Sequence, residues 1–255
     1  MKHDIEYIYG THPVTEALRH RPDVVRELHL APECEDDELL ALATNAGLAP
    51  RLLNLKNPPR GISSKANHQG VVAGVEPRQL LVEYKQFVRG LPVIPATALL
   101  VLGEVQDPHN VGAIIRSAAA FGLAGVLIPP HQQAPITGTV IKVSAGMAFR
   151  VPLVSIRNVN ATLSDLKERG FWTYGLAGTG ETTTATEPFE RASAFVIGNE
   201  GSGLRRQTAA ACDDRLAIPI HPRCESLNAA AATAVALAAW SRAHPEALAD
   251  NSAMV

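Results

Sequence analysis

Aromatic side chains are scarce, at 5% of 255 residues. A protein that holds single strands by stacking bases on aromatic platforms needs more of them, so that is not the main device here. Cysteine is scarce too. Cys34, Cys212 and Cys224 form no CxxC pair, and three thiols cannot all pair with one another. A reduced, cytoplasmic chain is expected. Cys212, His221 and Cys224 lack a fourth ligand at a usual zinc spacing, so no metal is expected. No apolar run reaches a bilayer span, and Met1-Lys2-His3-Asp4 is no apolar signal region, so no membrane role is expected. Net charge is only −2, which gives no global attraction to nucleic acid. Locally, acids are missing. None lies between Leu39 and Val75, where Arg51, Lys56, Arg60 and Lys65 stand, and none between Pro108 and Ser164, where Arg116, Lys142, Arg150 and Arg157 stand. Such stretches suit a phosphate-binding surface or a solvated face with its counter-charges nearby in space.

What is present is an ordinary globular balance, 46% apolar and 19% charged. The first part reads as short alternating units. Val25–Leu30 and Val71–Val75 look like strands, and Glu35 to Ala46 like a helix with acids in its first turn. Residues 77–96, broken by Pro77, Gly90, Pro92 and Pro95, read as an irregular linker. From Ala98 the pattern becomes strand, loop, helix, repeated. Ala98–Leu102, Val126–Ile128, Phe171–Tyr174, Ala194–Ile197 and Arg215–Ile218 are short and mostly apolar, as in a parallel sheet with flanking helices. Ser226–Trp240 reads as a last helix, small-sided enough to pack closely against a sheet or a second subunit.

Ligand loops of an α/β sheet lie at the carboxyl ends of its strands. The first, Gly103 to Asn110, leads into a helix with Asn110 at the expected N-cap. Val111, Ile114, Ile115 and Ala118 mark that helix's core face. Arg116 points away from it, either as a solvated arginine or as a functional one beside a strand-end loop. Two glycine loops follow, Gly175-Leu176-Ala177-Gly178-Thr179-Gly180 and Gly198-Asn199-Glu200-Gly201-Ser202-Gly203. Neither continues into Lys-Ser/Thr, so neither is a nucleotide P-loop. Glu200 suits an uncharged or cationic ligand better than a phosphate. The last loop runs from Pro219 to Glu225, with Ser226 as the natural N-cap of the final helix and Asn228 on its first turn.

Taken in order, these loops resemble the three signature motifs of the SpoU/TrmH RNA methyltransferases: Asp107 to Ala118, Val196 to Leu204, and Ile218-Pro219 with Ser226-Leu227-Asn228. Tyr9-Gly10-Thr11-His12-Pro13-Val14, Glu16-Ala17-Leu18 and His68-Gln69-Gly70-Val71 resemble the ribosomal-protein-L30e-like domain fused to the branch that modifies 23S ribosomal RNA guanosine. The resemblance implies an α/β L30e-like domain over 1–76, a linker over 77–96, a catalytic domain with a C-terminal trefoil knot over 97–245, and a tail over 246–255. It implies a homodimer, and S-adenosylmethionine held by Gly198, Ile218 and Leu227 with Gly175, Gly178 and Thr179 beside it. Asn110, Arg116, Glu200, Ser226 and Asn228 would form the catalytic set. RNA, from 23S ribosomal RNA or a ribosome precursor, would meet Arg51, Lys56, Arg60, Lys65 and Lys142. A guanidinium with a pKa above about 12 is a poor base, so Arg116 is expected to stabilise a developing alkoxide and grip a phosphate. Two positions depart from the family pattern: Pro222 stands where glycine is usual, and Ala229-Ala230-Ala231 where Val-Ser-Val is usual. A transfer RNA target, or a non-catalytic role in ribosome assembly, are the alternative readings.

Overall fold

The computed structural model describes residues 5–34, 36–54, 59, 62 and 67–249. Its elements begin with β1 (Glu6–Tyr9), α1 (Thr11–His20), β2 (Val25–Leu30), α2 (Asp37–Asn45), β3 (Arg51–Leu52) and β4 (Val71–Val75). Next come β5 (Leu81–Glu83), α3 (Tyr84–Phe87), β6 (Ala98–Leu102), α4 (Pro108–Ala120), β7 (Gly125–Ile128), α5 (Gly138–Val143) and β8 (Leu153–Ser155). The last are α6 (Val159–Glu168), β9 (Trp172–Ala177), β10 (Thr182–Thr183), β11 (Ser193–Ile197), α7 (Arg206–Ala211), β12 (Asp214–Ala217) and α8 (Ala229–Ala243). They form two compact units: the chain up to Leu81 with Pro135–Arg150, and Val82–Ala134 with Val151 onward.

The first unit is built on a four-stranded sheet in the order β1-β4-β2-β3. Central β4 runs antiparallel to both β1 and β2. Its sequence, Val-Val-Ala-Gly-Val, is buried at every position, as a strand covered on both faces must be. Helix α1 turns Val14, Ala17 and Leu18 into the core. Asp36 caps α2 by accepting from the Leu39 N–H at 3.0 Å, with Asp37 and Glu38 on the positive first turn. Helix α5, although its residues fall between β7 and β8 in sequence, packs in this unit against β1. Gly138 makes that approach possible, since a Cβ there would stand 2.8 Å from the Tyr7 carbonyl oxygen.

In the second unit the sheet order is β10-β12-β9-β11-β6-β7-β8-β5. The pairings from β10 across to β8 are all parallel. β6, β7 and β11 are buried throughout. One side of the sheet packs Leu99, Val101, Leu127, Val154 and Val196 against Leu163 and Leu166 of α6. Elsewhere Tyr174, Phe189 and Phe195 stack with ring centres 5.5–5.9 Å apart. Trp240 of α8 is fully buried. Because β11 lies between β6 and β9, the chain changes direction across the sheet there, and the crevice beyond the strand ends is where such a fold accommodates a ligand.

The α/β class with a parallel sheet is as expected, but several local readings are corrected. The stretch 77–96 is not wholly irregular. A 3₁₀ turn over Pro77–Leu80, edge strand β5 and helix α3 occupy much of it, because Pro77 starts a turn as readily as it breaks a strand. The last helix begins at Ala229, and Asn228 rather than Ser226 caps it. Asp107 caps α4 with Pro108 at the first helical position, which leaves Asn110 inside the first turn. The α2 helix begins at Asp37, and Glu35 lies outside the described residues. The tail from 246 starts as part of a 3₁₀ turn, Pro245–Leu248.

Candidate active site

Three loops at the carboxyl ends of β9, β11 and β12 enclose a cavity of about 450 Å³, within the range of small-molecule sites. Leu176, Ile197, Ile220 and the expected Ile218 and Leu227 supply apolar walls. The expected Gly178, Thr179 and Gly198 line it too, as do Glu200 and Ser226. Gly175 does not. It sits back in β9, where a Cβ would collide with Leu204 at 2.8 Å.

The β11 loop closes on itself. Asn199 and Gly203 exchange backbone hydrogen bonds at 3.0 and 2.9 Å. Asn199 Oδ1 accepts from the N–H groups of Gly201 and Ser202 at 3.0 and 3.2 Å, an Asx turn. Its Nδ2 donates to the Glu104 carbonyl at 3.0 Å, which ties the loop to the end of β6. Asn199 was not among the residues singled out from the sequence, although an asparagine two residues before a glycine is the ordinary signal of such a turn.

Glu200 anchors a chain of side chains. Its Oε1 accepts from Asn110 Nδ2 at 3.0 Å and from the Asp107 N–H at 3.3 Å. Asn110 Oδ1 in turn accepts from Asn228 Nδ2 at 2.9 Å. Asn228 Oδ1 accepts from the N–H groups of Ala230 and Ala231 at 2.9 and 3.3 Å, the free donors of α8. Each amide is therefore held by both of its ends. Burial alone would raise the Glu200 carboxyl. Hydrogen bonds from Asn110 and from the backbone of Glu200, Asp107 and Gln106 together outweigh it, and hold the carboxyl below its ordinary value. Glu200 is thus an occupied carboxylate, suited to holding donors in place rather than to taking a proton. Ser226 is exposed at the cavity wall.

Arg116 stands apart. It is exposed, six residues or about 9 Å beyond Asn110 along α4. No hydrogen bond or ion pair engages it among the described residues. Of the expected RNA contacts, Arg51 and Lys142 are both exposed and both partnered within the first unit. Arg51 donates to Glu27 at 2.6 Å. Lys142 donates to the Tyr9 hydroxyl and lies 4.1 Å from that ring's centre. Lys56, Arg60 and Lys65 lie outside the described residues.

The donor set fits a nucleoside carrying a positive charge. Apolar walls suit a purine ring, strand-end backbone groups suit its polar edge, and the Glu200 carboxylate at the rim disfavours an anion.

Comparison with known proteins gives this geometry its class. The SpoU rRNA Methylase family matches residues 97–238, and the family described as RNA 2′-O ribose methyltransferase substrate binding matches residues 7–81. A 23S rRNA (guanosine-2′-O-)-methyltransferase from Vibrio vulnificus is 35% identical, over 91% of this chain and 94% of its own. One of the same name from Pseudomonas aeruginosa is 36% identical over 91% and 94%. Among solved structures, the SpoU methyltransferase AviRb from Streptomyces viridochromogenes in complex with its cofactor AdoMet matches with a TM-score of 0.76 at 22% identity, covering 94% of this chain and 91% of that one. A TrmH-family protein from Porphyromonas gingivalis matches at 0.72 and 27% identity, over 93% and 90%. The fold is that of the SpoU methyltransferases. The chain belongs to the SpoU rRNA methylase family, whose methyl donor is S-adenosylmethionine.

Proposed function

We propose that this chain methylates the ribose 2′-hydroxyl of a guanosine in 23S ribosomal RNA, acting in the cytoplasm as a homodimer. The observation that carries the reading is the Glu200–Asn110–Asn228 hydrogen-bond chain at the rim of a nucleoside-sized cavity. The relatives matched over nearly their whole length support the target.

When bound, S-adenosylmethionine supplies an electrophilic methyl on a charged sulfur, so the protein's work is positioning and charge stabilisation. Gly198, Ile218 and Leu227 hold it, with Gly178 and Thr179 at the opposite lip. The three loops converging on one cavity support a trefoil-knotted path for the chain. Ser226 and Asn228 orient the ribose, and Glu200 keeps Asn110 and Asn228 in register. Arg116 stabilises the alkoxide forming at the 2′-oxygen and grips the adjoining phosphate. The domain over 1–76 brings in the RNA through Arg51, Lys56, Arg60 and Lys65, joined by Lys142 of α5, and the rest of 97–245 performs the transfer. The partner subunit covers the outer face of α8, where Val235 is 41% exposed beside Ala231 and Ala238.

The test is single-turnover methylation of ribosomal RNA, with S-adenosylhomocysteine binding measured by calorimetry beside it. Arg116→Ala should slow transfer at least about a hundredfold. It should leave stability within about 0.5 kcal/mol, as surface changes usually do, and cofactor binding unchanged. A near-normal rate would remove Arg116 from the mechanism, and no heat with S-adenosylhomocysteine would remove the cofactor site.

A further inference from the structure

A second cavity, of about 210 Å³, opens at the carboxyl ends of β6, β7 and β8. That is the volume of about seven waters, so it accommodates one ring system rather than a whole cofactor. It adjoins the first, with Leu204 in the wall of both. Nothing in the arrangement of Glu200, Asn110 and Asn228 uses it.

Its polar groups are specific. Glu104 and Arg205 form an ion pair across one wall, Arg205 Nε to Glu104 Oε1 at 2.6 Å. Arg205 Nη2 also donates to Gln132 Oε1, which leaves Nη1 without a partner among the described residues; the Glu104 side chain is 24% exposed and that of Arg205 60%. Glu104 is held at φ +74°, a backbone conformation that costs free energy for any residue but glycine and that concentrates at ligand sites. Asn160 lines the same cavity, with its Oδ1 turned into the protein and shut off from the cavity. At the rim Arg157 is exposed and has no hydrogen bond or ion pair among the described residues. Pro130 and His131, also exposed, offer flat faces.

A guanidinium beside a carboxylate presents a donor next to acceptors. The Watson–Crick edge of guanine presents the complement: the O6 acceptor, then the N1–H and N2–H₂ donors. Adenine and cytosine offer one amino group next to an unprotonated ring nitrogen, which a carboxylate repels. Glu104 is also close enough to serve the nucleotide being modified. It stands two positions before Gln106, whose N–H reaches Glu200 at 3.5 Å. Two residues span at most about 7 Å.

We infer that this cavity seats the base of the methylated nucleotide and selects guanine, with the Glu104 carboxylate accepting from N1–H and N2–H₂, Arg205 donating to O6, and Arg157 holding a neighbouring phosphate. The inference rests on the ribosomal RNA reading above, and deepens it by naming what chooses the base.

The experiment uses the full chain and a ribosomal RNA fragment carrying either guanosine or inosine at the methylated position. Inosine lacks only the 2-amino group. For the unaltered protein, kcat/KM should fall at least about tenfold with inosine, the scale of one lost base contact. Glu104→Gln should bring the two substrates within about threefold of each other while S-adenosylhomocysteine binding stays unchanged. Glu104→Asp, which keeps the charge but draws the carboxylate back by one methylene, should narrow the ratio as well, and stands in if Glu104→Gln does not fold. Arg157→Ala should weaken transfer to both substrates equally and lower the salt slope of RNA binding by about one. Equal use of inosine by the unaltered protein would overturn the inference, as would full discrimination surviving in folded Glu104→Gln or Glu104→Asp. A protein that binds S-adenosylhomocysteine but methylates no ribosomal RNA would instead overturn the function on which the inference rests. The two failures are thus distinct.

Discussion

The two glycine loops look alike in sequence and are built differently. Gly198–Gly203 is closed by its own residues: Asn199 Oδ1 holds the N–H groups of Gly201 and Ser202, and Gly198 is pressed against the loop's far end. A Cβ on Gly198 would lie 2.3 Å from the Gly203 carbonyl carbon and 2.4 Å from the Leu204 nitrogen. Gly175–Gly180 has no such side-chain lock among its described hydrogen bonds. Its tightest glycine, Gly180, leans instead on the neighbouring strand β12, where a Cβ would come within 2.1 Å of the Arg215 carbonyl oxygen. Gly178 between them faces open space. One loop is therefore a self-supporting wall carrying Glu200, and the other a lip whose shape is borrowed from β12. Composition reveals neither property, because glycine marks a close approach without saying to what.

The largest expected effect is at Gly198. Gly198→Ala meets backbone on two sides, so the loop must open or the strand must shift. A loss of about 3 kcal/mol or more is expected by denaturant unfolding, together with loss of S-adenosylhomocysteine binding. Normal stability would show that the loop gives way cheaply, and the comparison would fail. Asn199→Ala should come next. Removing the Asx turn and the bond to Glu104 should cost about 1–2 kcal/mol. It should also weaken cofactor binding, because Glu200 loses its neighbour's support. Gly178→Ala should do least, within about 0.5 kcal/mol, since the added methyl meets nothing and no left-handed backbone is required. Should it instead abolish cofactor binding with stability intact, the lip would be a direct cofactor contact rather than a border.

Much of the fold was legible because its strands are apolar runs cut off by turn residues. Val25–Leu30, Val71–Val75 and Ala98–Leu102 were read to the residue. β8 was missed: it is three residues long and follows Pro152, so it offers too little periodicity to register. The cap errors have one cause. At both helix starts several polar residues stand close together, and only geometry decides which of them turns back on the helix. Asp107 does so at α4, which frees Asn110 to face Glu200. Asn228 caps α8 and meets Asn110 at once, a double duty that spacing does not reveal. The second cavity was illegible for a similar reason. Glu104, Asn160 and Arg205 are far apart in sequence, and each is ordinary where it stands.

Residues 135–150 leave the eight-stranded sheet's part of the chain to join the first unit and then return. The path therefore changes unit three times, and the first unit is not one contiguous stretch of gene. A protein of this kind cannot trade its RNA-recognition module by a single crossover at 76 or 96, since a foreign replacement would have to fit α5, which arrives from inside the other module. The segment with Gly138 at its head thus acts as a genetic lock.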